Sequence, residues 1–177
     1  MQTTRVRSLT LVAAMVFAGI TGTTGIAEAQ LNSDVANVTA VVQQPITVTA
    51  QQDLDFGDVF PGVNKTIDAT DATAARFDIV GQNSAQVHLT FTLPTELTNT
   101  TSGGSETMPL GTTWTGITNT TASQSGGTNF TPSASPTTST LSSTGALYVY
   151  VGGSVEPDAG QVAGTYTGTL TLTVVYF

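Results

Sequence analysis

The residues that could carry out chemistry are few and lie far apart in the sequence. Cysteine is absent, and His88 is the only histidine. Nucleophilic catalysis and zinc binding both need such side chains close together. The sequence also lacks a phosphate-binding loop, a dinucleotide motif and a nucleophile elbow. We therefore expect a protein that is not an enzyme and that uses no cofactor and no metal.

Three acidic residues, Asp53, Asp55 and Asp58, form the densest group of possible metal ligands. A calcium loop of the EF-hand type needs a third ligand where this sequence has Gly57. The alternative is an acidic strand edge that faces solvent, and we favour it over a metal site.

Two further side chains each allow two interpretations. Trp114 lies in a stretch rich in threonine, serine and glycine, where it is either a platform for stacking a sugar or an ordinary core residue. His88 alternates with apolar residues and shares its parity with threonines, which predicts a solvated side chain rather than a catalytic one.

Residues 1–29 have the pattern of a secretory signal. Arg5 and Arg7 precede a short apolar run, and Ala27 and Ala29 flank an acidic residue at a typical cleavage site. The run is shorter than the roughly 20 apolar residues that span a membrane. We expect export through the periplasm to the cell surface or the medium, without membrane insertion.

The composition agrees with an exported β-protein. The formal net charge is −8, and Lys65 and Arg76 are the only positive side chains beyond the signal segment. Such a chain repels nucleic acid and anionic lipid, which excludes both as expected partners. Without cysteines no disulfide is available, so stability must come from the core.

The clearest structural pattern is at the carboxyl terminus, in residues 164–177. Apolar residues occupy one parity and threonines the other, which predicts a strand with one buried face. Gly168 interrupts the apolar row and predicts a bulge or a close backbone approach. We expect this strand to be central in a sheet. The positions of interest are Gly164, Tyr166, Leu170, Leu172, Val174 and Tyr176.

A second alternating segment forms the start of the exported chain, residues 30–44. Its small apolar side chains are Ala36, Val38, Ala40 and Val42, and Pro45 ends the pattern. One interpretation is the first strand of the protein's own sheet. The other is a donor strand that completes a neighbouring copy.

Residues 45–177 predict one all-β domain, an antiparallel β-sandwich. Its middle, residues 95–145, predicts flexible loops with short strands near Met108, Trp114 and Phe130. The pair Gly152 and Gly153 predicts a turn.

Two resemblances extend this interpretation. The penultimate Tyr176 and Gly164, fourteenth from the end, resemble the ending of chaperone–usher pilus subunits. The chain from about residue 40 onward also resembles a bacterial family, domain of unknown function 4402. The matching motifs, in order, are Pro45-Ile46, Leu54-x-Phe56-Gly57, Ala75-x-Phe77-x-Ile79-x-Gly81, Leu147-Tyr148-Val149-x-Val151-Gly152-Gly153 and Ala163-Gly164-Thr165-Tyr166-Thr167-Gly168. The resemblance implies a secreted, immunoglobulin-like sandwich similar to pilins.

The resulting hypothesis is a pilus- or fimbria-like subunit that assembles by donor-strand exchange. The partners would be further copies or related subunits, a periplasmic chaperone and an outer-membrane usher. Two alternatives stay open at this point. One is a self-contained surface sandwich that binds glycan or matrix through its middle loops, with Trp114 as the platform. The other is a passive coat or matrix protein.

Overall fold

The structure, a computed structural model, describes residues 34–101 and 105–177. The predicted signal segment, residues 1–29, lies outside the described residues. The chain divides into two compact units, Met1–Ala40 and Val41–Phe177, and every strand belongs to the second. No helix long and apolar enough to cross a membrane occurs among the described residues.

The described residues form twelve strands and no helix. They are β1 (Thr47–Gln52), β2 (Lys65–Ile67), β3 (Ala75–Val80), β4 (Gln86–Thr92), β5 (Glu96–Asn99), β6 (Thr107–Pro109), β7 (Thr115–Asn119), β8 (Thr128–Phe130), β9 (Thr137–Thr140), β10 (Ala146–Val155), β11 (Tyr166–Thr167) and β12 (Thr171–Tyr176).

The largest sheet is antiparallel and has the order β1-β3-β10-β7-β8, and β2 pairs with the end of β10. β10 lies at its centre, between β3 and β7. Residues of β3 alternate in burial, so that Phe77 and Ile79 face the core while Arg76 and Asp78 face outward. The period-2 pattern of the sequence thus sets which side chains reach the interior.

Two smaller antiparallel sheets have the orders β12-β4-β9 and β11-β5-β6. One hydrophobic cluster joins buried side chains of β3 and β10 in the large sheet with those of β4 and β12 in the small one. Sheets that share one core in this way form a β-sandwich. The predicted all-β, antiparallel sandwich is therefore confirmed.

The carboxyl-terminal segment differs from the single central strand that its alternation predicts. It forms two strands, and each pairs on one side only: β11 with β5, and β12 with β4. Both are edge strands in the described fold, so the predicted central position is wrong. The predicted facing is confirmed, since Leu172 is buried while Thr171 and Thr173 are exposed. Alternation specifies the face of a side chain but not the number of neighbouring strands.

Glycines in this fold mark close approaches as well as turns. Gly168 lies between β11 and β12, where an added Cβ would be 2.7 Å from Leu97 Cδ2, as its interruption of the apolar row predicts. Gly152 and Gly153 do not form the predicted turn, because both lie inside β10. A Cβ at Gly153 would lie 2.9 Å from the Trp114 ring, so glycine there makes room for the indole.

The middle of the chain contains more strands than its composition indicates. The strands predicted near Met108, Trp114 and Phe130 correspond to β6, β7 and β8. β5 and β9 also lie in this stretch, and the sequence pattern does not predict them. Their sequences, ELTN and TTST, contain few apolar residues, so hydrophobic periodicity gives no signal there.

Residues 34–46 form no strand, although their alternation predicts one. We call residues 34–44 of this segment the arm; in it, Val38 is 96% exposed and Val42 is 94% exposed. Extended alternating segments become strands only when a neighbouring edge accepts their backbone hydrogen bonds. The first strand of the sheet is instead β1, which begins after Pro45.

Candidate assembly groove

An open groove of about 600 Å³ separates the end of β1 from the start of the carboxyl-terminal segment. Its rims are residues 52–59 on one side and residues 164–170 on the other. Its lining contains both apolar and polar side chains, among them the acidic residues Asp53, Asp55 and Asp58 on the first rim. Its floor is formed by buried core side chains, namely Ala75, Phe77, Met108, Leu110, Trp114 and Val155.

The first rim is an irregular segment that follows β1. Leu54 and Phe56 are half-buried and pack against the core, whereas Asp53, Asp55 and Asp58 are exposed. The side chain of Asp55 accepts a hydrogen bond from the backbone N–H of Gly57 at 2.7 Å, which closes a turn with φ of 58° at the glycine. The alternation of this rim therefore places apolar side chains toward the groove without forming a strand.

The second rim contains the predicted site residues Gly164, Tyr166 and Leu170. The Tyr166 hydroxyl donates to the carbonyl of Val162 at 2.7 Å and accepts from the Gln161 side chain at 2.7 Å. These bonds fix the ring, which packs against the core together with Leu170. Because β11 and β12 pair on one side only, this rim also carries backbone groups without a strand partner in the described fold.

Gly164 has a packing role at this rim. A Cβ there would lie 2.6 Å from Asn99 Oδ1, so only glycine fits against this buried asparagine. Asn99 Oδ1 accepts a hydrogen bond from the backbone N–H of Thr101 at 2.8 Å. The neighbouring backbone is joined by a bond from the N–H of Thr100 to the carbonyl of Thr165 at 2.8 Å. The rim is thus anchored to β5.

The remaining carboxyl-terminal site residues lie beyond the groove. Leu172 and Val174 pack into the shared core beside β4. Tyr176 lies at the far end of β12 and its hydroxyl contacts the backbone of Gln44 and Gln82. The structure therefore divides the six predicted positions between the rim, the core and the root of the arm.

The four arm positions, Ala36, Val38, Ala40 and Val42, are all exposed and belong to no strand.

Trp114, the candidate sugar platform, is 8% exposed and lies in the groove floor, which supports its interpretation as a core residue. His88 is half-buried on the outer face of β4. Its ring lies 4.3 Å from that of Phe177, and Nδ1 lies 3.3 Å from Thr138 Oγ1.

The sequence patterns predict neither the groove nor its first rim. Leu54 and Phe56 belong to the motif Leu54-x-Phe56-Gly57, but nothing in their spacing shows that they face residues 164–170 across an opening. Their shared parity beside three acidic residues was the available signal. Only the fold shows that residues 52–59 and residues 164–170 line the same groove.

The fold and the groove define an antiparallel β-sandwich that is open along one edge. The model of the family described as Domain of unknown function (DUF4402) matches residues 46–176, and the chain belongs to that family. The match spans β1 to β12 and ends at Tyr176, and it does not include the arm. No curated protein matches the chain.

Proposed function

We propose that this protein is a secreted structural subunit of a pilus- or fimbria-like fibre. The arm of one copy, residues 34–44, adds as a strand along the groove and the carboxyl-terminal edge of another copy. The observation that carries the proposal is the presence, on one chain, of an exposed apolar arm and an open groove that reaches the core. Its role is structural rather than catalytic.

The arm has the chemistry of a strand that gains stability from a partner. Val35, Val38, Val41 and Val42 are each at least 88% exposed. Burying a valine side chain stabilises by about 1.5–3 kcal/mol, and each net ladder hydrogen bond adds about 0.5–1.5 kcal/mol. Insertion of Ala36, Val38, Ala40 and Val42 against the apolar floor of the groove would supply both contributions.

The groove offers the matching surface. Its floor consists of apolar side chains, and its second rim ends in edge strands that can accept further backbone hydrogen bonds. Strand addition combines such main-chain bonds with pockets for alternate side chains. The small residues of the arm suit a groove of about 600 Å³ whose floor already contains the Trp114 ring.

One arm and one groove per copy make the contact heterologous, because two different surfaces meet. Heterologous contacts generate open filaments unless the rotation between copies closes a ring. The expected assembly is therefore a fibre in which each subunit donates an arm at one end and receives one in its groove.

The two edge strands beside the open groove are an aggregation hazard before assembly. We propose that a periplasmic chaperone covers this edge after export and that an outer-membrane usher receives the subunit. The predicted signal segment, residues 1–29, supports the export step.

The test uses the exported chain and a variant that lacks residues 31–42. We expect the full chain to form multimers in light scattering and the truncated chain to remain monomeric with an unchanged β-type circular dichroism spectrum. A synthetic peptide of residues 31–44 should bind the truncated chain.

Two outcomes would contradict the proposal. In the first, the truncated chain forms the same multimers as the full chain. In the second, the full chain is a stable monomer and the separate peptide does not bind the truncated chain. That result would show that the arm pairs only within its own chain.

A further inference from the structure

A second opening, the outer cleft, lies on the face of the large sheet that points away from the shared core. Its volume is about 670 Å³. Two loops form its walls, one before β3 and one between β7 and β8. Hydroxyl and amide groups alternate with alanines in its lining, which includes Gln52, Thr70, Ala72, Arg76, Ser123 and Tyr150.

Arg76 is the charged group of the outer cleft. Its Nε donates to Asp78 Oδ1 at 2.7 Å and one Nη donates to Asp78 Oδ2 at 2.8 Å. The guanidinium also lies 5.3 Å from the centre of the Tyr148 ring. The hydrogen bonds with Asp78 raise the pKa of Arg76, so it stays charged. A guanidinium has five N–H donors, and this paired geometry leaves others for a ligand.

Tyr150 lies opposite Arg76 on β10 and is 5% exposed. A tyrosine hydroxyl is protonated at neutral pH, and burial raises the pKa of this one above the ordinary value of 10.0. A protonated hydroxyl both donates and accepts hydrogen bonds. Arg76 and Tyr150 therefore place a fixed donor and an adaptable hydroxyl in the same cleft.

The walls of the outer cleft are held in place by their own hydrogen bonds. The side-chain amide of Gln124 donates to the carbonyls of Ala69 and Asp71, at 2.9 Å and 2.7 Å. The side-chain amide of Asn119 donates to the carbonyls of Ser123 and Ser125. A cleft whose walls are already ordered loses little entropy when a ligand binds.

We propose that the outer cleft binds a neutral sugar unit of a glycan. Sugars present hydroxyls that donate and accept, beside apolar C–H faces, and the open cleft offers hydroxyls, amides and alanine surface side by side. Asp78 offsets the charge of Arg76, and the chain carries a net charge of −8. The electrostatic potential at the cleft therefore does not favour an anionic ligand. The proposal is independent of assembly through the arm.

The test is a nuclear magnetic resonance titration of the isotope-labelled exported chain. The probes are methyl α-D-mannopyranoside, methyl β-D-galactopyranoside and sodium glucuronate. We expect at least one neutral glycoside to shift the Arg76 Nε–H signal and the amide signals of Thr70 and Ser123, with saturation in the millimolar range. Glucuronate should leave these signals in place.

Arg76→Met keeps the aliphatic stem and removes the donors, and it should weaken binding about tenfold or more. Lys65→Met makes the same charge change outside the cleft and serves as the control. Ala122→Leu narrows the cleft at an exposed position, so it tests the site even if Arg76→Met does not fold.

Three results would overturn the proposal. The first is the absence of saturable shifts with either neutral glycoside. The second is binding that neither Arg76→Met nor Ala122→Leu weakens. The third is tighter binding of glucuronate than of both neutral probes, which would show a site for anions instead.

Discussion

The phenolic hydroxyl of Tyr176 donates a hydrogen bond to the backbone carbonyl of Gln44 at 2.5 Å. The same oxygen accepts a bond from the backbone N–H of Gln82 at 2.7 Å. One side chain of the last strand therefore joins the root of the arm to the turn after β3. Gln44 lies at this end of β12, while the groove rim at residues 164–170 lies at the other end of the carboxyl-terminal segment.

Tyr176→Phe should destabilise this junction. The substitution removes both hydrogen bonds and leaves the part-buried N–H of Gln82 without its acceptor, at a cost of about 1–3 kcal/mol. Urea unfolding measures the loss, and hydrogen exchange at Gln82 reports it locally. Tyr166→Phe removes hydroxyl bonds elsewhere and is the control. Unchanged exchange at Gln82 in Tyr176→Phe would contradict this role.

Gly145→Ala should destabilise the turn before β10. Gly145 has φ of 79°, and an added Cβ would collide with the backbone carbonyl of Gly81, whose N–H donates to the carbonyl of Gly145 at 2.8 Å. Strain of this kind costs about 1–3 kcal/mol. Gly160→Ala is the matched control, since nothing lies within 4 Å of a Cβ there.

Thermal unfolding of the two glycine variants measures the difference. We expect Gly160→Ala to stay within about 0.5 kcal/mol of the parent chain, as exposed substitutions do. Equal stability of Gly145→Ala and Gly160→Ala would show that the turn relaxes without strain.

The buried hydroxyl of Tyr150 should lower the free energy of unfolding of the protein at alkaline pH. Burial raises its pKa above 10.0 in the folded chain, so the folded state holds this proton more tightly than the unfolded state does. The resulting stabilisation is complete below about pH 10 and is lost as the pH rises through the raised pKa. Tyr150→Phe should therefore lose less stability across this range than the parent chain.

Urea unfolding on both sides of pH 10 compares the two chains. Tyr166→Phe, outside the large sheet, should keep the alkaline loss of the parent. The same alkaline loss in Tyr150→Phe as in the parent would mean that other groups cause it.

Side-chain alternation predicted the β-sandwich well and the groove not at all. Leu172 and Val174 take the face that their parity predicts, because every strand alternates regardless of its neighbours. The edge position of β12 depends on which strands lie beside it. The sequence of one strand does not show which distant strands pair with it. Gly153 shows the same limit, since its reason for being glycine is the ring of Trp114, 39 positions away.

The arm gives the most direct test of strand addition by substitution. Val38 is 96% exposed, so Val38→Asp should leave the stability of the body unchanged. Against the apolar floor of the groove, an aspartate would lose solvent without gaining a positively charged partner, which costs several kcal/mol. We expect the binding of the arm peptide to the truncated chain to weaken at least tenfold.

Asn37→Asp adds the same charge on the opposite parity and is the matched control. In an added strand, residue 37 points away from the side that Val38 occupies, so its carboxylate would stay in solvent. The two peptides should therefore bind very differently although their charges are equal. Equal weakening by both substitutions would indicate that charge alone opposes binding, and no weakening by Val38→Asp would show that this side chain does not enter the groove.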